Sequence, residues 1–282
     1  MTKKILITGA SRGFGKLAVE LLVERGHEVV AALRGGSVRG NTLFSDALVR
    51  TGRLHFIDLH AERIETLQAA GSWVASQWNG KLDVLINNAG YGLMGPLEGQ
   101  TDAQMRRQLE VNFFGPLNLT RECLPFLKSS QGRIINVSSI AGLAGFPFYG
   151  AYNASKFALE AISEAFYYEL RESGVQVALV EPGSFRTEFS ESTVFGEPGS
   201  PENQRKIEAF KKRMDTRRSL LSGDPTRVAR LLVRLCEKKR IPLRTAIGRD
   251  AALMLLIKKI LPDCWRVELT SRVFEKIFFK QS

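Results

Sequence analysis

Cysteine is scarce in this chain: Cys123, Cys236 and Cys264 are scattered over 282 residues with no C-x-x-C pair. That spacing excludes a disulfide framework and a cysteine-based metal site, and it suits a reducing compartment. Long apolar runs are missing too. The best candidate, Ala251–Ile257, is halted by Lys258-Lys259, well short of the ~18 residues that span a bilayer. Met1-Thr2-Lys3-Lys4 leads directly into Ile5-Leu6-Ile7, so no targeting peptide is expected and the cytoplasm is the expected location. No internal repeat and no low-complexity tract occurs.

Charge is the one compositional excess. Lys and Arg number 40 against 29 Asp and Glu, a net charge of +11. Much of it lies between Arg205 and Arg249. No recognition motif or aromatic-basic alternation accompanies it, so nucleic acid is not an expected partner. Two readings stay open: a solvated helical face, or a patch attracted to anionic lipid headgroups.

What is present is a regular alternation. Apolar runs at Lys4–Thr8, Glu28–Leu33, Arg53–Asp58, Val84–Asn87, Arg133–Ser138 and Val175–Glu181 alternate with helical patterns at Phe14–Arg25, Ala61–Gln77, Thr101–Lys128 and Tyr152–Ser173. Continuous apolar strands separated by helices predict a parallel sheet covered on both faces, a doubly wound three-layer α/β fold with ligand sites at the strand carboxyl ends. The Ser-, Gly-, Glu- and Pro-rich stretch Ser190–Gln204 reads as a mobile loop. Helices are expected at Arg205–Arg217, Pro225–Lys238, Ala251–Leu261 and Trp265–Phe279, with a strand at Arg244–Gly248. All of this fits one domain over residues 1–282, with a mobile substrate segment at 190–222 and a helical C-terminal extension at 225–282.

Strand one runs into Thr8-Gly9-Ala10-Ser11-Arg12-Gly13-Phe14-Gly15. Gly9 lets the chain turn, Gly13 lets the backbone approach a pyrophosphate, and Gly15 permits close helix–strand contact at a helix N-terminus that attracts anions. A tight turn without ligand has the same glycines. Strand two ends Leu33-Arg34 and lacks the acidic residue that accepts from the ribose of NAD. Arg12 and Arg34 suit a 2′-phosphate instead, so NADP(H) is preferred over NAD(H). At the end of strand three, Asp58 either accepts from an adenine amino group, with Leu59 against the ring, or caps the next helix.

Tyr152 and Lys156 open a helical pattern one turn apart on one face. A free phenol has a pKa of about 10. A nearby ammonium lowers that by ~1–3 units, towards what proton exchange with a carbinol oxygen requires. Ser138-Ser139 ends a central strand where a hydroxyl can bond the reacting oxygen. Asn87-Asn88-Ala89-Gly90 ends another, and Asn112 falls mid-helix, where Asn has poor propensity.

TGASRGFG (8–15), NNAG (87–90), VNFFG (111–115), NVSS (136–139), YNASK (152–156) and EPG…T (181–187) stand in the order of the short-chain dehydrogenase/reductase family, which the first two-thirds of the chain resembles. The resemblance implies a Rossmann-type fold and a catalytic tetrad of Asn112, Ser139, Tyr152 and Lys156. The family's thirteen-residue interval from Ser to Tyr selects Ser139. It further implies that Asn112 holds a water relaying protons to Lys156. Lys156 also binds the nicotinamide ribose, Asn88, Ala89 and Gly90 lie along the cofactor, and Pro182, Gly183 and Thr187 contact its nicotinamide end. Family members commonly form homodimers or homotetramers. A non-catalytic NADPH sensor of the same fold is the other class of reading, though such proteins usually lose Tyr or Lys.

Substrate-facing positions are apolar: Leu143, Phe146, Phe148 and Tyr149 before the catalytic Tyr, Met94 after NNAG, and Phe185, Phe189 and Phe195 in the loop beyond Pro182-Gly183. They predict a lipophilic carbonyl or alcohol. The C-terminal part and YGAYNASKFALE resemble the hydroxysteroid and retinol dehydrogenase-like branches. Basic charge near Arg205–Arg244 would bring such a protein to membranes.

Overall fold

The structure, a computed structural model, describes residues 1–278. Nine strands form: β1 (Lys4–Thr8), β2 (Glu28–Leu33), β3 (Leu54–Asp58), β4 (Val84–Asn87), β5 (Leu93–Met94), β6 (Arg133–Val137), β7 (Gln176–Pro182), β8 (Val194–Phe195) and β9 (Arg244–Ile247). The helices are α1 (Gly13–Glu24), α2 (Gly36–Leu43), α3 (Asp46–Val49), α4 (Ile64–Gln77), α5 (Asp102–Leu109), α6 (Gly115–Ser130), α7 (Gly150–Glu169), α8 (Pro201–Leu221), α9 (Thr226–Glu237), α10 (Arg249–Ile260) and α11 (Asp263–Phe278). Position 279, the expected end of the last helix, lies outside the described residues.

Seven strands make one parallel sheet in the order β3-β2-β1-β4-β6-β7-β9. The inner strands are largely apolar because both faces are covered, whereas the edge strands β3 and β9 carry His55, Asp58 and Arg244 and are only partly buried. On one face Ile5, Ile7, Val29 and Ile135 pack against Ala18 and Leu22 of α1 and Val228 and Leu232 of α9. On the other, Leu6, Val30, Leu85 and Ile134 meet Leu67 and Val74 of α4 and Leu119 and Cys123 of α6. Helix α9 shows why part of the basic excess is solvated: Val228, Leu231, Leu232 and Leu235 are buried while Arg227, Arg230 and Arg234 are exposed. The strand order reverses between β1 and β4, and a crevice opens there above the carboxyl ends.

Three segments differ from expectation. The helical run 101–128 is broken by a π-helical turn at Glu110–Phe114, where Gly115 N–H donates to Glu110 C=O across five residues. The stretch 190–204 is not one loop. It holds β8, paired in parallel with β5, and the start of α8, where Ser200 accepts from Asn203 N–H beside Pro201. Helices α2 and α3 fill 36–49, a stretch with no clear apolar period.

Candidate active site

The β1–α1 turn forms the cradle. Gly9 has φ +66°, and a Cβ there would lie 2.8 Å from Ala89 Cα. A Cβ on Gly15 would lie 2.3 Å from Gly9 O, so helix and strand meet closer than any side chain allows. Helix α1 has no side-chain cap at Arg12, which leaves its first N–H groups without a side-chain acceptor. The β4 end is tied to this turn: Thr8 Oγ1 accepts from the N–H of Asn88 and of Ala89, both at 3.0 Å, and Asn88 Nδ2 donates to Thr8 O and Gly9 O. An uncapped helix start, a bare glycine turn and a basic rim are what a dinucleotide phosphate requires, and the residues present fit one.

One cleft of about 940 Å³ runs over the strand ends. From the phosphate loop, Gly9, Ser11, Arg12, Gly13 and Phe14 line it, with Leu33 and Arg34 at the end of β2 and Leu59 after β3. Asn88, Ala89 and Gly90 follow, then Ser138 and Ser139, then Pro182, Gly183 and Thr187. Gly15 and Asp58 are not in its wall. Asp58 is not a helix cap, since Arg63 takes that position for α4; its Oδ1 accepts from Gly35 N–H at 2.5 Å. Arg34 is exposed at the rim. Arg12 pairs with Glu191 at 3.2 Å.

Tyr152 and Lys156 project from the first turns of α7 into the same cleft, both buried. Ser139, half-buried, lines the same cleft wall, and its hydroxyl accepts from Ala141 N–H at 3.1 Å. Lys156 Nζ sits 5.8 Å from the Tyr152 ring centroid and donates to Val137 C=O at 2.9 Å. Burial pushes the Tyr152 phenol well above its ordinary range, and the nearby Ser139 hydroxyl offsets only part of this. The lowering expected from a neighbouring ammonium is not found: Lys156 is not among the groups that shift Tyr152, and Tyr149 adds to the rise. Burial also draws Lys156 down to about 8, with Glu160 opposing.

Asn112 lies behind the cleft wall, fully buried in the π-helical turn. Its Nδ2 donates to Tyr91 O at 2.9 Å and Ser155 Oγ at 3.1 Å, and its Oδ1 accepts from Tyr91 N–H at 3.1 Å. It therefore clamps the loop after β4 to the start of α7. Asn153 was not anticipated as a site residue. Its amide donates to Ala141 O and Ala144 O, at 2.7 and 2.8 Å, and accepts from Phe146 N–H at 3.0 Å. It fixes the loop between Ser139 and Tyr152.

The far half of the cleft is apolar. Met94, Phe146, Tyr149 and Phe189 line it, while Phe185, also in the cleft wall, sits edge-on to Phe14 of the phosphate loop at 5.7 Å. Leu143, Phe148 and Phe195 do not line the cleft: Phe148 stacks on Phe210 at 5.2 Å, and Phe195 meets Phe210 edge-on at 6.3 Å. Missed in the sequence were Leu253, Met254 and Ile257 of α10 and Leu269, Val273 and Phe274 of α11, which form the roof. Their signal was the helical spacing 253/254/257 and 269/273/274. Asp250 bolts this roof down: its carboxylate accepts from Ser184 N–H at 2.6 Å and Ala251 N–H at 3.0 Å.

The short chain dehydrogenase family model matches residues 3–197. The chain is 35% identical over 247 residues to a 3-ketodihydrosphingosine reductase from Bacteroides thetaiotaomicron, covering 86% of this chain and 87% of that one. It is similar to a solved short-chain dehydrogenase from Streptomyces avermitilis, with a TM-score of 0.81, 32% identity and coverage of 98% and 97%. A short chain dehydrogenase from Burkholderia cenocepacia, solved in complex with NADP, aligns with a TM-score of 0.72 and 28% identity over 96% of this chain and 97% of that one. This chain belongs to the short-chain dehydrogenase/reductase family. It is an oxidoreductase acting on CH–OH or C=O groups. Among the described residues no helix is long and apolar enough to cross a membrane.

Proposed function

We propose that the chain is an NADPH-dependent reductase of a lipophilic ketone, with Tyr152 as the proton donor. The observation that carries this reading is one cleft lined by Ser139 and by buried Tyr152 and Lys156, with an apolar far wall. Bound nicotinamide would supply the hydride. Tyr152, kept protonated by burial, gives its proton to the forming alkoxide, and Ser139 orients and polarises the carbonyl oxygen. Lys156 holds positive charge behind the phenol, 5.8 Å from its ring, and would bond the nicotinamide ribose. The side chain of Asn112 is committed to Tyr91 and Ser155, so any part in a water relay falls to its main chain, which the π-helical turn takes out of the regular ladder.

Arg12 and Arg34 at the rim, with no carboxylate at the end of β2, support NADPH over NADH. Similarity to a 3-ketodihydrosphingosine reductase supports the lipophilic substrate, as do Met94, Phe146, Tyr149 and Phe189 in the cleft wall. A panel of long-chain, steroidal and retinoid carbonyls with both coenzymes tests the reading. Reduction of long-chain or polycyclic ketones is expected, with kcat/KM higher for NADPH. Tyr152→Phe should reduce turnover by ~10²–10⁴-fold with NADPH binding kept. Turnover retained by that variant would overturn the role of Tyr152. A preference for short polar carbonyls would overturn the substrate class.

A further inference from the structure

The two C-terminal helices carry more apolar surface than the cleft roof uses. Leu253, Leu256 and Ile260 on α10 and Trp265, Val267 and Leu269 on α11 are each between 41% and 67% exposed. Elsewhere exposed large apolar residues are dispersed, whereas eight fall within residues 253–273. A concentration of this kind on adjoining helices marks an interaction surface. Its charge is basic on α10, where Lys258 and Lys259 are exposed, and balanced on α11, where Arg266, Arg272 and Lys276 stand with Asp263, Glu268 and Glu275; Lys259 and Lys276 form no ion pair among the described residues. The one acid of α10, Asp250, is turned inward onto Ser184 and Ala251.

The surface is also the mouth of the cleft. Leu253, Leu269 and Val273 are exposed and at the same time line it. Apolar side chains interleaved with lysines on helices too short and too charged to span a bilayer are the composition of an interfacial anchor. We propose that the α10–α11 face docks on an anionic membrane surface, with the cleft mouth opening onto the lipid interface. Docking follows from the surface itself. Only its use, delivery of a lipophilic ketone from the bilayer without passage through water, rests on the substrate reading above. A second copy of this chain is the less favoured occupant: it would bring like charges together on a molecule of net charge +11 and close the mouth.

Trp265 is a built-in reporter: it is 67% exposed, whereas Trp78 is 3% exposed and Trp73 packs against the core. The full chain is mixed, without substrate, with vesicles of phosphatidylcholine alone or with about a third phosphatidylglycerol. Co-sedimentation and a blue shift of tryptophan emission are expected with the anionic vesicles and weakened by salt. The double variant Leu256→Glu/Ile260→Glu, neither residue in the cleft wall, should lose vesicle partitioning about tenfold or more. It should still reduce a short water-soluble ketone as the wild type does. If that variant fails to fold, Lys259→Glu on the wild-type background should lower binding to anionic vesicles selectively. Three results would overturn the proposal: no sedimentation with anionic vesicles, equal binding by wild type and variant, or a lipid-independent blue shift with a dimer by light scattering. Vesicle binding is read without substrate, so a failure of docking and a failure of the lipophilic-ketone reading are separate results.

Discussion

Arg12 and Glu191 form a 3.2 Å ion pair that joins the phosphate loop to the segment beyond Pro182-Gly183. Glu191 therefore holds the guanidinium that the 2′-phosphate of NADPH would claim. Exposed pairs of this kind contribute up to about 1 kcal/mol, equivalent to roughly a fivefold change in affinity. Glu191→Gln is expected to tighten NADPH by up to about fivefold and leave NADH unchanged, as read by calorimetric titration. An equal gain for both coenzymes would remove Arg12 from 2′-phosphate recognition.

Lys156 titrates near the working range because burial draws it down to about 8. Its ammonium form supports Tyr152 as a donor, so carbonyl reduction should be level below that value and decline as pH rises through it. The stability sign is opposite. Between about 8 and the ordinary lysine value the unfolded chain binds the extra proton, so over that window stability rises with pH. A kcat/KM profile set beside thermal melts at the same pH values checks both signs.

Glu181, buried at the end of β7, is pushed up to about 7, chiefly by burial and next by Glu160, with Arg244 opposing at 3.5 Å. The folded chain keeps this proton where the unfolded chain has lost it, so its contribution falls away as pH rises from the ordinary glutamate value through about 7. Glu181→Gln removes that loss, and Arg244 keeps Glu160 at 3.2 Å and Glu164 at 2.8 Å. Melting temperature should rise by about 2–3 °C at alkaline pH and be unchanged at acid pH. A rise at both ends would point to packing.

Asp250→Ala leaves the N–H groups of Ser184 and Ala251 without their acceptor and loosens α10 over the cleft. A loss of about 1–3 kcal/mol in denaturant unfolding is expected. KM for the carbonyl should rise more than kcat falls, since the roof lines the apolar half of the cleft and the Tyr152 group stays in place. A fall in kcat alone would place Asp250 closer to the chemistry.

The sheet was legible because buried parallel strands are uninterrupted apolar runs: β1, β2 and β4 have the boundaries expected. Tyr152 and Lys156 were legible because one helix turn brings them together, and the strand end pointed to Ser138-Ser139, both of which line the cleft; the choice of Ser139 came from the family's interval. Asn112 was flagged by its poor fit to a helix, but the π-helical turn around it has no residue signature. Helices α2 and α3 were hidden by a glycine-rich, weakly patterned stretch, with Gly40 pressed so close to Phe56 that a Cβ would sit 2.2 Å from its ring. The Arg12–Glu191 pair spans 179 positions, and nothing local announces it. The roof could have been anticipated from its spacing, yet the same spacing describes any helix packed on a core.

Strand β9 reaches the sheet only after α8 and α9 have been made, and it supplies the Ile247 C=O that accepts from Gly183 N–H at 2.9 Å. During synthesis the phosphate loop is therefore complete long before the Pro182-Gly183 side of the crevice is fixed. Until then β7, apolar over most of its length, is an open edge able to recruit a strand from another chain. The edge that finally replaces it is four residues long and begins with Arg244, which makes it a poor template for such recruitment.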